Sequence, residues 1–240
     1  DKLIRTLKQK APDSTGIYKW RWSMNEKGVD YPSRKIRERK NEPGGVSVKP
    51  GTYRAVLTYG DQTSEENISV KSDPRLNVSE ENTNEVYAAL KKLEAMQQTA
   101  ADAVKQLVES KNTATDYQKM LKKLDEKTYK AEIKASKTMV KSIDSIVAKY
   151  LGKVDKRQGI TRNPEVTVMN LLNQARGYVG SRQNGITSTE TTLMQNAKSA
   201  LEKALEETNT FFNEKWSAYR KEMEALEMSQ FKEIETLKLD

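Results

Sequence analysis

The chain has 240 residues and a mass of 27.3 kDa, with 35% hydrophobic residues, 32% charged residues and a mean hydropathy of -0.84. That length suits one large domain or two ordinary ones, and the composition is too polar for a single deep core. Cysteine and histidine are both absent, which excludes Cys/His sites for zinc, iron–sulfur or haem, cysteine nucleophiles and Ser-His-Asp triads.

The formal net charge is +8, and residues 1–76 hold 16 basic and 10 acidic residues against 26 and 24 in the remainder. The densest basic stretch is Arg34, Lys35, Arg37, Arg39 and Lys40, between Pro32 and Pro43-Gly44-Gly45. Such a run suits an anionic surface. No recognition helix or RNA-binding signature accompanies it, so these five are candidate interface residues in a solvated loop and nucleic acid is not an expected partner.

Five of the six prolines and six of the eleven glycines lie before residue 75, and there the pattern has period two. Leu3 to Leu7 is an expected first strand. From Ile17 to Ser23, Tyr18, Trp20 and Trp22 share one strand face, and from Thr52 to Tyr59 the residues Tyr53, Ala55, Leu57 and Tyr59 share another. Tyr59-Gly60-Asp61-Gln62 is an expected tight turn into a strand ending at Ile68 and Val70. Short strands between Gly/Pro turns predict a small antiparallel β-sandwich over 1–76. Its core would be the Tyr18/Trp20/Trp22 face; if exposed, that face is instead a candidate platform for stacking sugar rings.

After Leu76 the period becomes helical, with Ser79 as an expected cap. Helices are predicted at about 80–111, 113–152, 164–181 and 188–236, with a turn at Asn112-Thr113, Gly152 closing the second, Pro164 opening the third and Thr187 to Glu190 capping the fourth. Residues 77–240 are thus expected to form an elongated four-helix bundle, and the fold class expected is α+β multidomain. Close carboxylate pairs (Glu65-Glu66, Glu80-Glu81, Glu206-Glu207) fall on expected solvated faces, so no catalytic residue, metal site or cofactor is assigned. The polar loops Thr161 to Asn163 and Arg182 to Gly185 are expected near each other. No apolar run approaches the ~20 residues of a membrane-spanning helix. Asp1 stands where an initiator Met would, so a processed protein or a fragment is expected, and the lack of cysteine suits an extracytoplasmic protein that needs no disulfide.

The stretches Gly16-Ile17-Tyr18-Lys19-Trp20-Arg21-Trp22, Lys49-Pro50-Gly51-Thr52-Tyr53-Arg54-Ala55-Val56-Leu57 and Val70-Lys71-Ser72-Asp73-Pro74-Arg75 resemble the region after the β-propeller in bacterial sortilin-like or BNR-repeat "glycosyl hydrolase" proteins of the Bacteroidota type. The chain departs from that pattern at Trp20-Arg21, where the family often continues Trp-Asp, and in its basic insertion at 34–40. The resemblance implies an immunoglobulin-like domain followed by a helical segment. It further implies a secreted or periplasmic location and a non-catalytic accessory role supporting the N-terminal β-propeller of a parent chain. Another protein, or self-association through the helices, is the other expected partner; a glycan-binding module using Tyr18, Trp20 and Trp22 is the alternative function.

Overall fold

The computed structural model describes residues 2–36, 38–154 and 165–226. In chain order it has β1 (Asn25–Lys27), β2 (Gly44–Ser47), β3 (Gly51–Tyr59), β4 (Gln62–Val70), α1 (Glu80–Asp125), α2 (Lys130–Leu151), α3 (Val168–Gly180) and α4 (Ser188–Phe211). A π-helical turn (Phe212–Trp216) then leads into α5 (Ser217–Glu224).

The sandwich and elongated bundle expected from the sequence are not the architecture found. Of the described residues 55% are helical, and these residues hold two separate two-stranded sheets, β1-β2 and β3-β4. A sandwich needs two sheets stacked ~10 Å apart with alternate side chains interleaved between them. Among the described residues of 1–76 the only buried hydrophobic side chains are Val46 and Val48, too little apolar volume for such a core. Ile17 to Ser23 and Leu3 to Leu7 form no strand. Extended backbone there meets other partners: Ile4 O accepts from Lys27 N at 2.8 Å, and Thr6 N donates to Glu42 Oε2 at 2.9 Å.

The helices are unlike in length, with 46, 22, 13 and 24 residues in α1 to α4, and this also departs from a regular bundle. At 1.5 Å per residue α1 is about 69 Å long and outruns α3. Its stretch up to Val108 joins α2, α3 and α4 around Leu93, Val104, Leu107, Ile143, Tyr150, Leu172 and Val179. Its far end forms a second core with α2 and α5 from Ala114, Leu121, Ile133, Tyr219 and Met223. Two buried hydroxyl pairs cross these cores, Tyr150 with Thr208 and Ser136 with Tyr219, each at 2.9 Å.

Local chemistry sets the helix ends. Ser79 Oγ accepts from Asn82 N at 3.1 Å, Glu80 and Glu81 follow in the first turn, and Lys122 and Lys123 occupy the last, each charge complementing the helix dipole. The turn expected at Asn112-Thr113 is absent. Thr113 Oγ1 bonds back to Glu109 O within the helix and Ala114 is fully buried, so packing carries the helix past two residues of middling propensity. The break comes instead at Asp125, whose carboxylate accepts from Lys127 N, Thr128 N and Thr128 Oγ1 at 2.8, 3.2 and 2.7 Å. Gly152, at φ +78°, closes α2. Thr167 caps α3, and the expected start at Pro164 lies outside the described residues. Thr187 and Glu190 make a reciprocal capping box on α4. The expected fourth helix is interrupted by the π turn, and its continuation to about residue 236 lies outside the described residues.

Candidate interaction surface

The N-terminal segment has three features: a polar seam that fastens it to α1, a basic loop, and a two-stranded β-ribbon.

The seam begins with Glu94, which falls inside the apolar stripe of α1 and is 3% exposed. Its Oε1 accepts the Val46 N–H of β2 at 3.0 Å, and its Oε2 lies 2.7 Å from Lys91 Nζ. Lys91 also pairs at 3.3 Å with Glu26 of β1, which accepts a second hydrogen bond from the Tyr87 hydroxyl. Burial, then the Glu26 carboxylate, push the Tyr87 hydroxyl up to about 12. Gln97 Nε2 donates to Asp30 O at 3.0 Å, and Asp30 N donates to Gln98 Oε1 at 3.0 Å. The backbones approach closely because Gly28 and Gly45 face each other: a Cβ at either would meet the other's backbone at 2.8 Å. Sequence reasoning missed this seam. The visible signal is a glutamate and a glutamine, Glu94 and Gln97, at positions where the three-four spacing of α1 calls for apolar side chains.

The basic loop lies along α1 beside Ala101, Asp102, Lys105 and Glu109. Arg34 donates to the Gly152 carbonyl at the end of α2, Arg39 Nε sits 3.7 Å from Asp30 Oδ1, and Lys35 N donates to Ser33 Oγ at 3.1 Å. Lys35, Arg39, Lys40 and Lys105 share this cleft with Asp30, Glu38, Asp102 and Glu109, so the surface is of mixed sign. Arg37 lies outside the described residues, as do Thr161 to Asn163. Arg182 is a structural partner of the α4 cap, 2.8 Å from Glu190 Oε1.

β3 and β4 form the ribbon. They pair antiparallel over nine residues each, from Gly51 opposite Val70 to Tyr59 opposite Gln62. A two-residue loop closes them with Gly60 at φ +58° as its first member, the position a type II′ hairpin reserves for glycine. Among the described residues, the two strands pack on each other and hardly on the remaining elements. Tyr53, Ala55, Leu57, Tyr59 and Ile68 share one face by alternation, yet Leu57, Tyr59 and Ile68 are exposed, as is Val56 on the other face. At the base of the ribbon the Trp22 ring stands edge-on to Tyr53 at 5.5 Å, and its Nε1 donates to Asn25 O at 2.9 Å. Tyr18 and Trp20 are 51% and 47% exposed, so these aromatics do not form the core expected of them. After β4, Asp73 accepts from Arg75 N at 3.0 Å and from its Nη2 at 2.6 Å, and the Arg75 guanidinium holds the Asp73 carboxyl below its ordinary range.

Among the described residues no cluster of three or more acidic side chains is arranged to hold a metal ion, and no helix is long and apolar enough to cross a membrane. The close carboxylate pairs at 65–66, 80–81 and 206–207 are all exposed. No family model matches the chain, and comparison with curated proteins and with solved structures finds no match.

Proposed function

We propose that this chain is a non-catalytic accessory region of a larger extracytoplasmic protein, acting in structural support and partner binding, with the β3-β4 ribbon as its contact surface. One observation carries the reading: a hairpin of two nine-residue strands exposes Leu57, Tyr59 and Ile68 on one face and, among the described residues, hardly touches the helices. A lone two-stranded ribbon is marginal in water, and contiguous exposed apolar side chains mark interaction sites. The resemblance of residues 1–76 to the region after a β-propeller supplies the partner, the N-terminal propeller of a parent chain, and with it a secreted or periplasmic setting. No part of the role is assigned to catalysis or to nucleic acid. The test is light scattering with small-angle X-ray scattering on the chain, alone and mixed with that propeller. A complex that Leu57→Ser weakens supports the reading; a chain that binds no propeller contradicts it.

A second reading is favoured by the half-exposed rings of Tyr18 and Trp20, which meet the first requirement of a glycan-stacking platform beside Trp22. Its test is tryptophan fluorescence on titration with a panel of polysaccharides. Quenching that disappears in Trp20→Ala supports it, and no quenching across the panel sinks it.

A further inference from the structure

We propose that Lys8, Lys27, Arg39 and Lys40 form a cationic cleft that holds a carboxylate or sulfate group of an acidic polysaccharide, whose neighbouring uncharged units continue along the adjoining cleft beside α1. The cleft lies outside the ribbon, and its role does not rest on the contact-surface reading.

Three separate stretches of chain build the cleft. Lys27 N donates to Ile4 O and Gly28 N donates to Pro43 O, each at 2.8 Å, and Thr6 N donates to Glu42 Oε2 at 2.9 Å. These bonds set the three stretches side by side around an open cleft of about 330 Å³, at the small end of the ligand-pocket range of about 300–1,000 Å³. Only Arg39 and Lys40 belong to a basic run in the sequence; the fold adds Lys8 and Lys27 to them.

The charges of the cleft are unequal. Its two carboxylates are already engaged, Glu42 at 3.3 Å from Lys27 Nζ and Asp30 at 3.7 Å from Arg39 Nε. Lys8 and Lys40 are exposed and take part in no ion pair among the described residues. Two ammonium groups are thus left over at one concave surface, and a cleft with an excess of one sign concentrates ligands of the other.

The neighbouring cleft selects the class of anion. It has a volume of about 930 Å³ and shares Asp30, Arg39 and Lys40 with the first, so one extended ligand reaches both. Farther along it stand Glu38, Asp102 and Glu109 together with Lys35 and Lys105. A nucleic acid carries a negative charge on every unit and meets these carboxylates with like charge. A polysaccharide in which charged and neutral sugars alternate places hydroxyl groups there, and carboxylates accept hydrogen bonds from hydroxyls. Tyr31 lines the same cleft and is 44% exposed, with its hydroxyl oxygen accepting from Asn173 Nδ2 at 2.9 Å. The bond anchors a ring whose apolar face suits the C–H face of a sugar.

The test is titration calorimetry of the 240-residue chain with a polysaccharide that alternates glucuronate and N-acetylglucosamine, with far-UV circular dichroism as the check on folding. The wild type is expected to bind, and more weakly as salt is added. Lys8→Gln/Lys40→Gln removes the two unpaired charges and is expected to weaken binding about fivefold or more at unchanged helicity. Lys134→Gln/Lys137→Gln removes the same charge from α2, where both lysines are exposed, and is expected to bind as the wild type does. No binding by the wild type, or a Lys8→Gln/Lys40→Gln chain that binds as tightly, overturns the inference. Equal losses in the two variants also overturn it, since net charge alone then accounts for the attraction. Tighter binding to double-stranded DNA or to phosphatidylglycerol vesicles than to the polysaccharide overturns the class of ligand assigned.

Discussion

Glu94 of α1 is bound to the backbone of Val46 in β2, 48 residues earlier in the chain, through a carboxylate oxygen 3.0 Å from the Val46 nitrogen. This bond is the most buried of those that fix the N-terminal segment to α1, alongside Gln97 with Asp30 and Lys91 with Glu26. Both groups are buried, so neither has water to fall back on. Replacing Glu94 by alanine strands the Val46 N–H and takes a partner from Lys91; a loss of about 2–3 kcal/mol is expected in urea unfolding. Glu94→Gln keeps an acceptor for Val46 and gives up only the charge, so its loss is smaller.

Tyr87 predicts an alkaline limit on the same seam. Its hydroxyl is pushed up to about 12 from an ordinary value of 10, by burial and then by Glu26. A group whose pKa is raised on folding contributes stability that is full below the unfolded value and is lost as pH rises through the folded one. Stability therefore falls between about pH 10 and pH 12 through this group. Tyr87→Phe removes the hydrogen bond to Glu26 and with it this part of the decline; thermal melts across that range compare the two.

Glu190, in the first turn of α4, sets an acid limit. The Arg182 guanidinium, and then the Thr187 hydroxyl, hold its carboxyl down at about 2 against an ordinary 4.5. Its contribution is present above pH 4.5 and disappears as pH falls toward 2. Glu190→Gln is expected to be less stable than wild type at neutral pH, and the two unfolding curves converge as the pH approaches 2.

The two halves of the chain should respond differently to loss of an apolar side chain. Leu107 is fully buried among α1 to α4, and Leu107→Ala is expected to cost about 2–5 kcal/mol through the cavity it leaves. Leu57 in the ribbon is half exposed, and Leu57→Ser should stay within about 0.5 kcal/mol of wild type for the helical core. Denaturation followed by the far-UV helical signal distinguishes them.

The helical half is more legible than the strands. Ser79, Gly152 and the Thr187 to Glu190 box carry their capping chemistry in the sequence, since each acts on backbone groups within four residues. The turn wrongly placed at Asn112-Thr113 shows the limit: both residues allow a break, but only the burial of Ala114 in the core shared with α2 and α5 decides that none occurs. Alternation misleads in the first 76 residues because period two identifies an extended segment without saying whether anything covers it. Tyr18, Trp20 and Trp22 alternate as core residues of a sandwich would, yet among the described residues only Trp22 finds a ring neighbour, in Tyr53. β3 and β4 are legible as a hairpin through Gly60-Asp61, whereas how little they touch the described helices is not. The seam through Glu94 and Gln97 joins positions about 50 to 70 residues apart, which no local pattern reveals.

The most direct measurement is the scattering mass of the chain mixed with the β-propeller proposed as its partner, for the wild type and for Leu57→Ser/Tyr59→Ser, with helical content checked in parallel. The account predicts a complex for the wild type and its loss in the variant at unchanged helicity. A complex that persists undiminished in the variant, or no complex with the wild type, contradicts the assignment of the ribbon as the contact surface.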